Sequence, residues 1–467
     1  MSTPPDTSRA GAAPTTATPT APPSGRGSTW IDDWRPEDPV FWEQTGAKVA
    51  KRNLLFSVIS EHIGFSVWSM WSVIVLFLGP VYGIDPAGKF LLTALPTLLG
   101  ALLRLPYTFA VATFGGRNWT IVSALMLLIP TIGIIVVLEP GVSYTTLLIV
   151  ACLAGVGGGN FASSMTNINA YYPARLKGWA LGINAGGGNL GVPVVQLLGL
   201  LILATVGATN PRLLAIIYIP LILLAALGAA LTMNNLSQMS NSKRAMRDVV
   251  REKHTWIISL LYIGTFGSFI GYSFAFGQVL QVQFADIFST PVKAAYLTFI
   301  GPLIGSLIRP VGGMLADRLG GAKVSFVNFI AMALGAAVVL TASLMQSLPL
   351  YLVGFVMLFT FSGIGNGSVY KMIPAIFRSK SGSEIIAGAE PAVSMAKSQR
   401  LSGALIGIAG AIGAFGGVLV NLAFRQSFLT YKTATAAYVV FIAFYAVCIA
   451  VTWYVYLRSS KSKLEGV

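Results

Sequence analysis

Long apolar runs separated by short polar segments make up most of the chain. Twelve runs of about 20 residues or more occur at residues 54–80, 91–114, 118–138, 142–166, 177–206, 211–233, 255–284, 292–316, 323–343, 348–376, 400–424 and 433–457. A helix rises about 1.5 Å per residue, so roughly 20 residues cover the ~30 Å hydrocarbon core of a bilayer. The pattern predicts an all-α membrane protein with twelve transmembrane helices.

The longest polar interruption divides the twelve runs into six and six. This layout predicts two six-helix bundles joined by a polar loop. The expected segments are a disordered Pro-, Thr- and Ala-rich tail at 1–29, a cytoplasmic pre-helix segment at 30–53, an N-terminal bundle at 54–233, a cytoplasmic central loop at 234–254, a C-terminal bundle at 255–457 and a cytoplasmic tail at 458–467.

Composition agrees with a membrane protein, because 55% of the 467 residues are hydrophobic and 10% charged, with a mean hydropathy of +0.73. The formal charge of +15 by itself would suit nucleic-acid binding, but its distribution does not. With the N-terminus in the cytoplasm, 23 Lys and Arg residues lie in cytoplasmic segments and five outside. Because cytoplasmic segments of membrane proteins carry excess positive charge, we expect both termini in the cytoplasm and no nucleic-acid partner.

The two halves contain related motifs. The stretch LTALPTLLGALLRLPY, which contains Arg104, aligns with LTFIGPLIGSLIRPVG, which contains Arg309. Each arginine is followed eleven residues later by a Gly-Gly pair. The second and eighth spans are therefore predicted to be equivalent, and the two bundles to be pseudo-symmetric.

Three basic residues, Arg104, Arg309 and Lys371, remain inside predicted spans. A charge at the bilayer centre costs at least ~2.5 kcal/mol, so it needs a partner. Glu61 is the one acidic residue inside a span, and one carboxylate cannot neutralise three cations. We expect a small anion to supply the missing charge, since the planar guanidinium fork matches nitrate, nitrite or a carboxylate.

Glu61 and His62 form a polar pair in the first span. Glu61 lies seven residues inside the apolar run, near its cytoplasmic end. We interpret the pair as interfacial; the alternative is a titratable site near the transport pathway.

Glycine clusters occur in the fourth, fifth and tenth spans. Small residues let helix backbones approach closely in lipid. Helix packing is expected at Gly157, Gly158, Gly159, Gly186, Gly187, Gly188, Gly365 and Gly367. Asn160, Asn184, Asn189 and Asn366 lie among these glycines and offer neutral amide donors to an anion.

Six motifs in order, LTALPTLLGALLRLPY, GGGNFASSM, LGINAGGGNLGV, WIISLLYIGTFGSFIGYS, DRLGG and GNGSVYKMIP, resemble the nitrate/nitrite porter family of the major facilitator superfamily. The resemblance starts at DWRPEDPVFW, before the first span. The resemblance implies the major facilitator fold and an anion clamped by Arg104 and Arg309 from opposite bundles. It further implies that Phe161 and Phe266 sandwich the planar anion and that Tyr262 donates a hydrogen bond to it.

The same resemblance implies that Asn184 and Asn189 are the polar contacts of the fifth helix. Lys371 stands where some members of the family carry glutamine, and it would add a third cation beside the pathway. The implied function is transport of nitrate and nitrite across the cell membrane by alternating access, with nitrate and nitrite as the partners and a functional monomer.

Two coupling modes are compatible with these residues. Nitrate/nitrite exchange needs no titratable site and is the favoured mode. Proton-coupled nitrate symport needs one, and Glu61, His62 and Lys371 are the candidates. A facilitator of another small anion is a third alternative.

An enzyme is excluded by the residue inventory. The chain has two histidines and two isolated cysteines, Cys152 and Cys448, too few and too scattered for a metal site. We expect no metal and no cofactor.

Overall fold

The computed structural model describes residues 29–207, 210–239, 243–458, 464 and 467, and almost all of them are helical. Twelve helices in this part of the chain are long and apolar enough to cross a membrane, as the sequence predicted. They are α1 (Pro39–Phe77), α2 (Pro86–Phe114), α3 (Gly116–Val137), α4 (Tyr144–Tyr171), α5 (Ala174–Thr205), α6 (Arg212–Thr232), α7 (Lys253–Gln283), α8 (Pro291–Leu319), α9 (Gly321–Leu344), α10 (Leu348–Ile386), α11 (Pro391–Tyr431) and α12 (Thr435–Leu457).

Several helices extend beyond the apolar runs that predicted them. Helix α1 begins at Pro39 rather than near residue 54, because the Asp38 carboxylate accepts hydrogen bonds from the first free backbone N–H groups of the helix. The predicted pre-helix segment is therefore mostly helical. The predicted tail at 1–29 lies outside the described residues apart from Thr29, and so does most of 458–467.

The predicted central loop contains regular structure. A strand β2 (Asn235–Leu236) pairs in parallel with β1 (Trp30–Ile31), which places the N-terminal segment beside the connection between the two halves. A helix at Lys243–Val250 follows and packs on α11. The connection between the two halves is therefore partly helical.

Helices α2 and α8 end in the same way. Each is followed by a glycine with a positive φ, 90° at Gly115 and 92° at Gly320, and the next helix starts at the second glycine of the pair. Glycine adopts this backbone conformation without steric cost, which explains why both arginine-bearing spans carry a Gly-Gly pair. The predicted equivalence of the second and eighth spans is confirmed at this turn.

We call the side of the molecule that carries the β1–β2 pair the terminal side, and the other the distal side. On the distal side the two halves are in contact. Phe90 of α2 stacks on Phe424 and Phe428 of α11, with ring centroids 5.7 and 5.4 Å away. Next to this stack, the Thr93 hydroxyl donates to Asn421 across the same helix pair at 2.8 Å. The distal side is therefore closed.

Candidate functional site

Arg104 lies in the middle of α2 and is completely buried. Its Nη1 donates to the Gly410 carbonyl of α11 at 2.7 Å, and its Nε donates to the Gly158 carbonyl of α4 at 3.3 Å. Nη2 has no hydrogen-bond partner among the described residues. Arg104 thus joins the two halves and keeps donors that no protein group uses.

Arg309 occupies the equivalent position in α8 and is 7% exposed. Its Nη2 donates to the Tyr262 hydroxyl of α7 at 3.2 Å, and its guanidinium lies 5.5 Å from the centre of the Tyr370 ring. Nη1 has no partner within the described part of the chain. In that same part, no ion pair to a carboxylate involves Arg104 or Arg309.

Aromatic rings connect the two arginines. The ring of Tyr262 stacks on Phe266 with a centroid distance of 5.2 Å and an interplanar angle of 6°. The Arg104 guanidinium lies 4.9 Å from the Phe266 centroid and 4.6 Å from that of Phe161. Phe266 sits on a π-helical turn, Ile263–Gly267, of the kind that often marks functional sites in helices.

The predicted aromatic sandwich is not formed in this conformation. The centroids of Phe161 and Phe266 are 6.1 Å apart and the rings are inclined by 30°. A planar ion between two rings needs roughly 7 Å, two contact distances of ~3.5 Å. The Arg104 guanidinium contacts both rings instead, so an anion between them stays a prediction for a substrate-bound state.

A cavity of about 240 Å³ opens toward the terminal side. Arg104 and Phe161 line its inner end, and Gln399 and Arg400 line its outer part. Arg309, Tyr262 and Phe266 do not line it. The structure is therefore open on the terminal side down to Arg104 and closed beyond it.

Glu61 is fully buried rather than interfacial. Its Oε2 accepts hydrogen bonds from the Ser164 hydroxyl of α4 and from the Asn184 amide of α5, the latter at 2.7 Å. The expectation that Glu61 reaches the interface is therefore not met, because α4 and α5 enclose its carboxylate. His62 is only partly buried, and its Nδ1 lies 3.0 Å from the Gly187 carbonyl.

The predicted asparagines fall into two groups. The Asn184 amide donates hydrogen bonds to the Glu61 carboxylate and to the Ser164 hydroxyl, each at 2.7 Å. Asn189, Asn160 and Asn366 are buried, and neither amide atom of any of them has a partner among the described residues. Of the predicted asparagines, these three therefore keep free amide donors.

Lys371 is neither buried nor unpaired. It forms an ion pair with Asp317 at 2.7 Å, and the two side chains are 39% and 59% exposed. The expectation of a third cation without a counter-ion is wrong, because Asp317 near the end of α8 lies beside Lys371.

Most of the predicted packing glycines have no room for a side chain. A Cβ atom would lie 2.1 Å from the Gly64 carbonyl at Gly157, 2.1 Å from Glu61 Oε1 at Gly188 and 2.4 Å from the Arg309 carbonyl at Gly367. Clashes shorter than 3 Å also arise at Gly158, Gly159, Gly187 and Gly365. Gly186 is the exception, with no atom within 4 Å, so the packing prediction is wrong there.

Two residues that contact Arg309 or Glu61 were not predicted from the sequence. Tyr370 contacts Tyr262 at a centroid distance of 4.6 Å and lies next to Arg309. Ser164 bonds Glu61. Both belong to motifs quoted above, GNGSVYKMIP and GGGNFASSM, where an aromatic ring or hydroxyl beside a glycine cluster is the available signal.

Comparison with known proteins gives consistent matches. The model of the Major Facilitator Superfamily matches residues 62–388. The nitrate/nitrite transporter NarU of Salmonella typhimurium is 38% identical, covering 92% of this chain and 96% of that protein. The probable nitrate/nitrite antiporter NarK2 of Thermus thermophilus is 33% identical, covering 93% and 98%.

Solved structures show the same fold at low sequence identity. The xylose transporter XylE from E. coli, in a partially occluded inward open conformation, has a TM-score of 0.64 and 14% identity, with 89% of this chain and 99% of that chain covered. A bacterial homologue of the lysosomal transporter Spinster, inward-facing and unoccupied, has a TM-score of 0.60 and 17% identity, with 87% and 96% covered.

Proposed function

We propose that this chain, which belongs to the nitrate/nitrite porter family of the major facilitator superfamily, transports nitrate and nitrite across the membrane by alternating access. It is a multi-pass membrane transporter and not an enzyme. The terminal side is the cytoplasmic side in this proposal, which makes the present conformation cytoplasm-facing.

The observation that carries the proposal is the pair of buried arginines. Both keep guanidinium nitrogens without a hydrogen-bond partner, and neither forms an ion pair within the described residues. Donors left unpaired in a dry interior are costly, and an oxyanion satisfies both their charge and their hydrogen bonds.

In this mechanism Arg104 lies between the two halves and senses whether an anion is bound. The guanidinium now donates to Gly410 on α11, and an anion arriving through the cavity reaches Arg104, whose Nη2 has no partner among the described residues. The Phe161 and Phe266 rings adjoin the same guanidinium, so their faces and the arginine edge form the contact surface for a flat ion. We infer that Tyr262 and Arg309 complete the site when the cavity closes.

A counterflow assay tests the proposed substrate class. Purified protein in liposomes is preloaded with unlabelled nitrate, and uptake of labelled nitrate is measured against external nitrite, chlorate and phosphate. We expect nitrite and chlorate to compete and phosphate not to, because a tetrahedral dianion does not fit between flat rings. Equal competition by phosphate would instead support a general anion facilitator.

Exchange, which needs no titratable site, is the coupling mode that the sequence favours. The burial of Glu61 supports the alternative, proton-coupled symport. Nitrate/nitrite exchange and proton-coupled uptake use the same arginine site, and they differ in whether Glu61 binds a proton during the cycle.

A further inference from the structure

We propose that Glu61 is the proton-binding site of a nitrate–proton symport, an inference that rests on the proposed nitrate transport. The Glu61 carboxylate has no exposed surface. Its Oε2 accepts hydrogen bonds from Ser164 and Asn184, whereas Oε1 has no partner among the described residues. One oxygen is thus held in place and the other is available to bind a proton.

Glu61 belongs to the same buried charge cluster as the arginines. Among the described residues, Glu61, Arg104 and Arg309 are the only Asp, Glu, Lys or Arg side chains that are buried. Both arginines are close enough to interact electrostatically with the Glu61 carboxylate. The hydroxyl of Ser164 also contacts the backbone carbonyl of Phe161 at 3.2 Å, which links the carboxylate to the anion-contact surface.

The charges of this cluster determine whether the empty and the loaded carrier have the same net charge. The empty carrier with an ionised Glu61 holds two positive charges and one negative charge. Adding nitrate and one proton leaves the same net charge, because nitrate contributes one negative charge and the proton cancels that of Glu61. Loaded and empty carriers can then reorient with equal buried charge. Uptake therefore needs no nitrite in exchange.

The proton and the anion also favour each other's binding. A nitrate beside the arginines places a negative charge near Glu61 and stabilises its protonated form. By thermodynamic reciprocity, a protonated Glu61 strengthens nitrate binding by the same factor. On the distal side a proton from water forms an O–H bond to Glu61, and on the terminal side this bond breaks as nitrate leaves. One proton and one nitrate move together, without net charge transfer.

Within the described residues, the groups that contact the Glu61 carboxylate carry no proton that exchanges near neutral pH. They are the Ser164 hydroxyl of α4 and, in α5, the Asn184 amide and Gly188. Arg104 of α2 and Arg309 of α8 act on the carboxylate through space. The neighbouring imidazole of His62 points to the Gly187 carbonyl instead.

The test compares transport modes in liposomes with wild-type protein, Glu61→Gln and the control variant His62→Gln. Nitrite-free vesicles receive nitrate with an acidic exterior, and an internal pH dye follows the protons. We expect the wild type and His62→Gln to take up nitrate and acidify the lumen. Glu61→Gln should lose gradient-driven uptake by roughly tenfold or more, the scale of typical coupling between sites, and keep nitrate/nitrite counterflow.

The counterflow assay distinguishes the proposed proton symport from the proposed nitrate transport itself. A wild-type protein that exchanges nitrate for nitrite but ignores the pH gradient would overturn the symport and leave nitrate transport intact. Gradient-driven uptake by Glu61→Gln at the wild-type rate would overturn the assignment to Glu61. A wild type without nitrate transport in any mode would overturn the proposed function itself.

A binding measurement does not depend on how well the variant folds. Nitrate binding to wild-type protein is measured calorimetrically in two buffers of different ionisation enthalpy. We expect about one proton taken up per nitrate at a pH where Glu61 is ionised in the empty carrier, as linkage requires. Identical heats in the two buffers at every pH would overturn the proposal.

Discussion

Arg104→Lys separates the charge of Arg104 from its geometry. Lysine keeps the positive charge and can still lie against Phe161 and Phe266, but it has a single nitrogen. In the structure, Arg104 uses Nη1 for the Gly410 carbonyl and Nε for the Gly158 carbonyl, and it leaves Nη2 without a protein partner. One lysine nitrogen cannot keep these contacts and also present a two-pronged edge to nitrate.

The expected loss of nitrate affinity follows from the number of hydrogen bonds that the substitution removes. At least one hydrogen bond between a charged donor and nitrate is lost in Arg104→Lys. Such bonds contribute about 1.5–3 kcal/mol, which corresponds to a rise in the nitrate Kd of about 10- to 150-fold. Arg104→Gln removes the charge as well, so its affinity should be lower still.

The assay is calorimetric titration of the detergent-solubilised protein with nitrate. Arg212→Lys is the matched control, because Arg212 forms an ion pair with Glu139 in a partly exposed position outside the cluster. We expect Arg212→Lys to bind nitrate like the wild type. The reasoning on planar geometry would be refuted if Arg104→Lys, folded and monodisperse, bound nitrate with wild-type affinity.

Three further tests concern the helix packing at Gly157, the ion pair between Lys371 and Asp317, and the ring stack that closes the distal side. Gly157→Ala should lower the thermal unfolding midpoint, since overpacking costs about 1–3 kcal/mol, whereas Gly186→Ala has open space and should not. Lys371→Gln removes a half-exposed ion pair with Asp317 and should leave the nitrate Kd within about twofold, in line with the small energies of such pairs. Phe424→Ala removes a distal ring stack and should raise labelling of a distal-side cysteine probe by a thiol reagent.

The helices and the two arginines could be predicted because both leave strong signals in the sequence. Apolar runs of membrane length have few alternatives to a spanning helix. An arginine in such a run is costly, so Arg104 and Arg309 had to face an interior partner. The structure places both in the interior, with the Gly-Gly turn repeated after each.

Helix ends were harder to predict because a helix can continue through polar residues beyond its apolar run. Asp38 caps α1 far ahead of the apolar run. The burial of Glu61 was not predictable either, because it depends on α4 and α5 packing against α1. Lys371 was misplaced for a related reason. Its partner Asp317 lies on another helix, and only the packing of α8 on α10 brings the two charges together.

The glycines of α11 show where the two halves separate. Measured to atoms of the other half, a Cβ atom at Gly417 would lie 2.7 Å from Thr97, one at Gly410 3.5 Å from Arg104 and one at Gly407 3.6 Å from Thr108, while Gly403 has no atom within 4 Å. The gap therefore widens steadily toward the terminal side, starting at the level where Arg104 bonds the Gly410 carbonyl. A rocking motion that closes the cavity narrows this gap and with it the space around the Arg104 guanidinium. An anion bound there lowers the repulsion between the arginines at the moment of closure, because its negative charge lies between them.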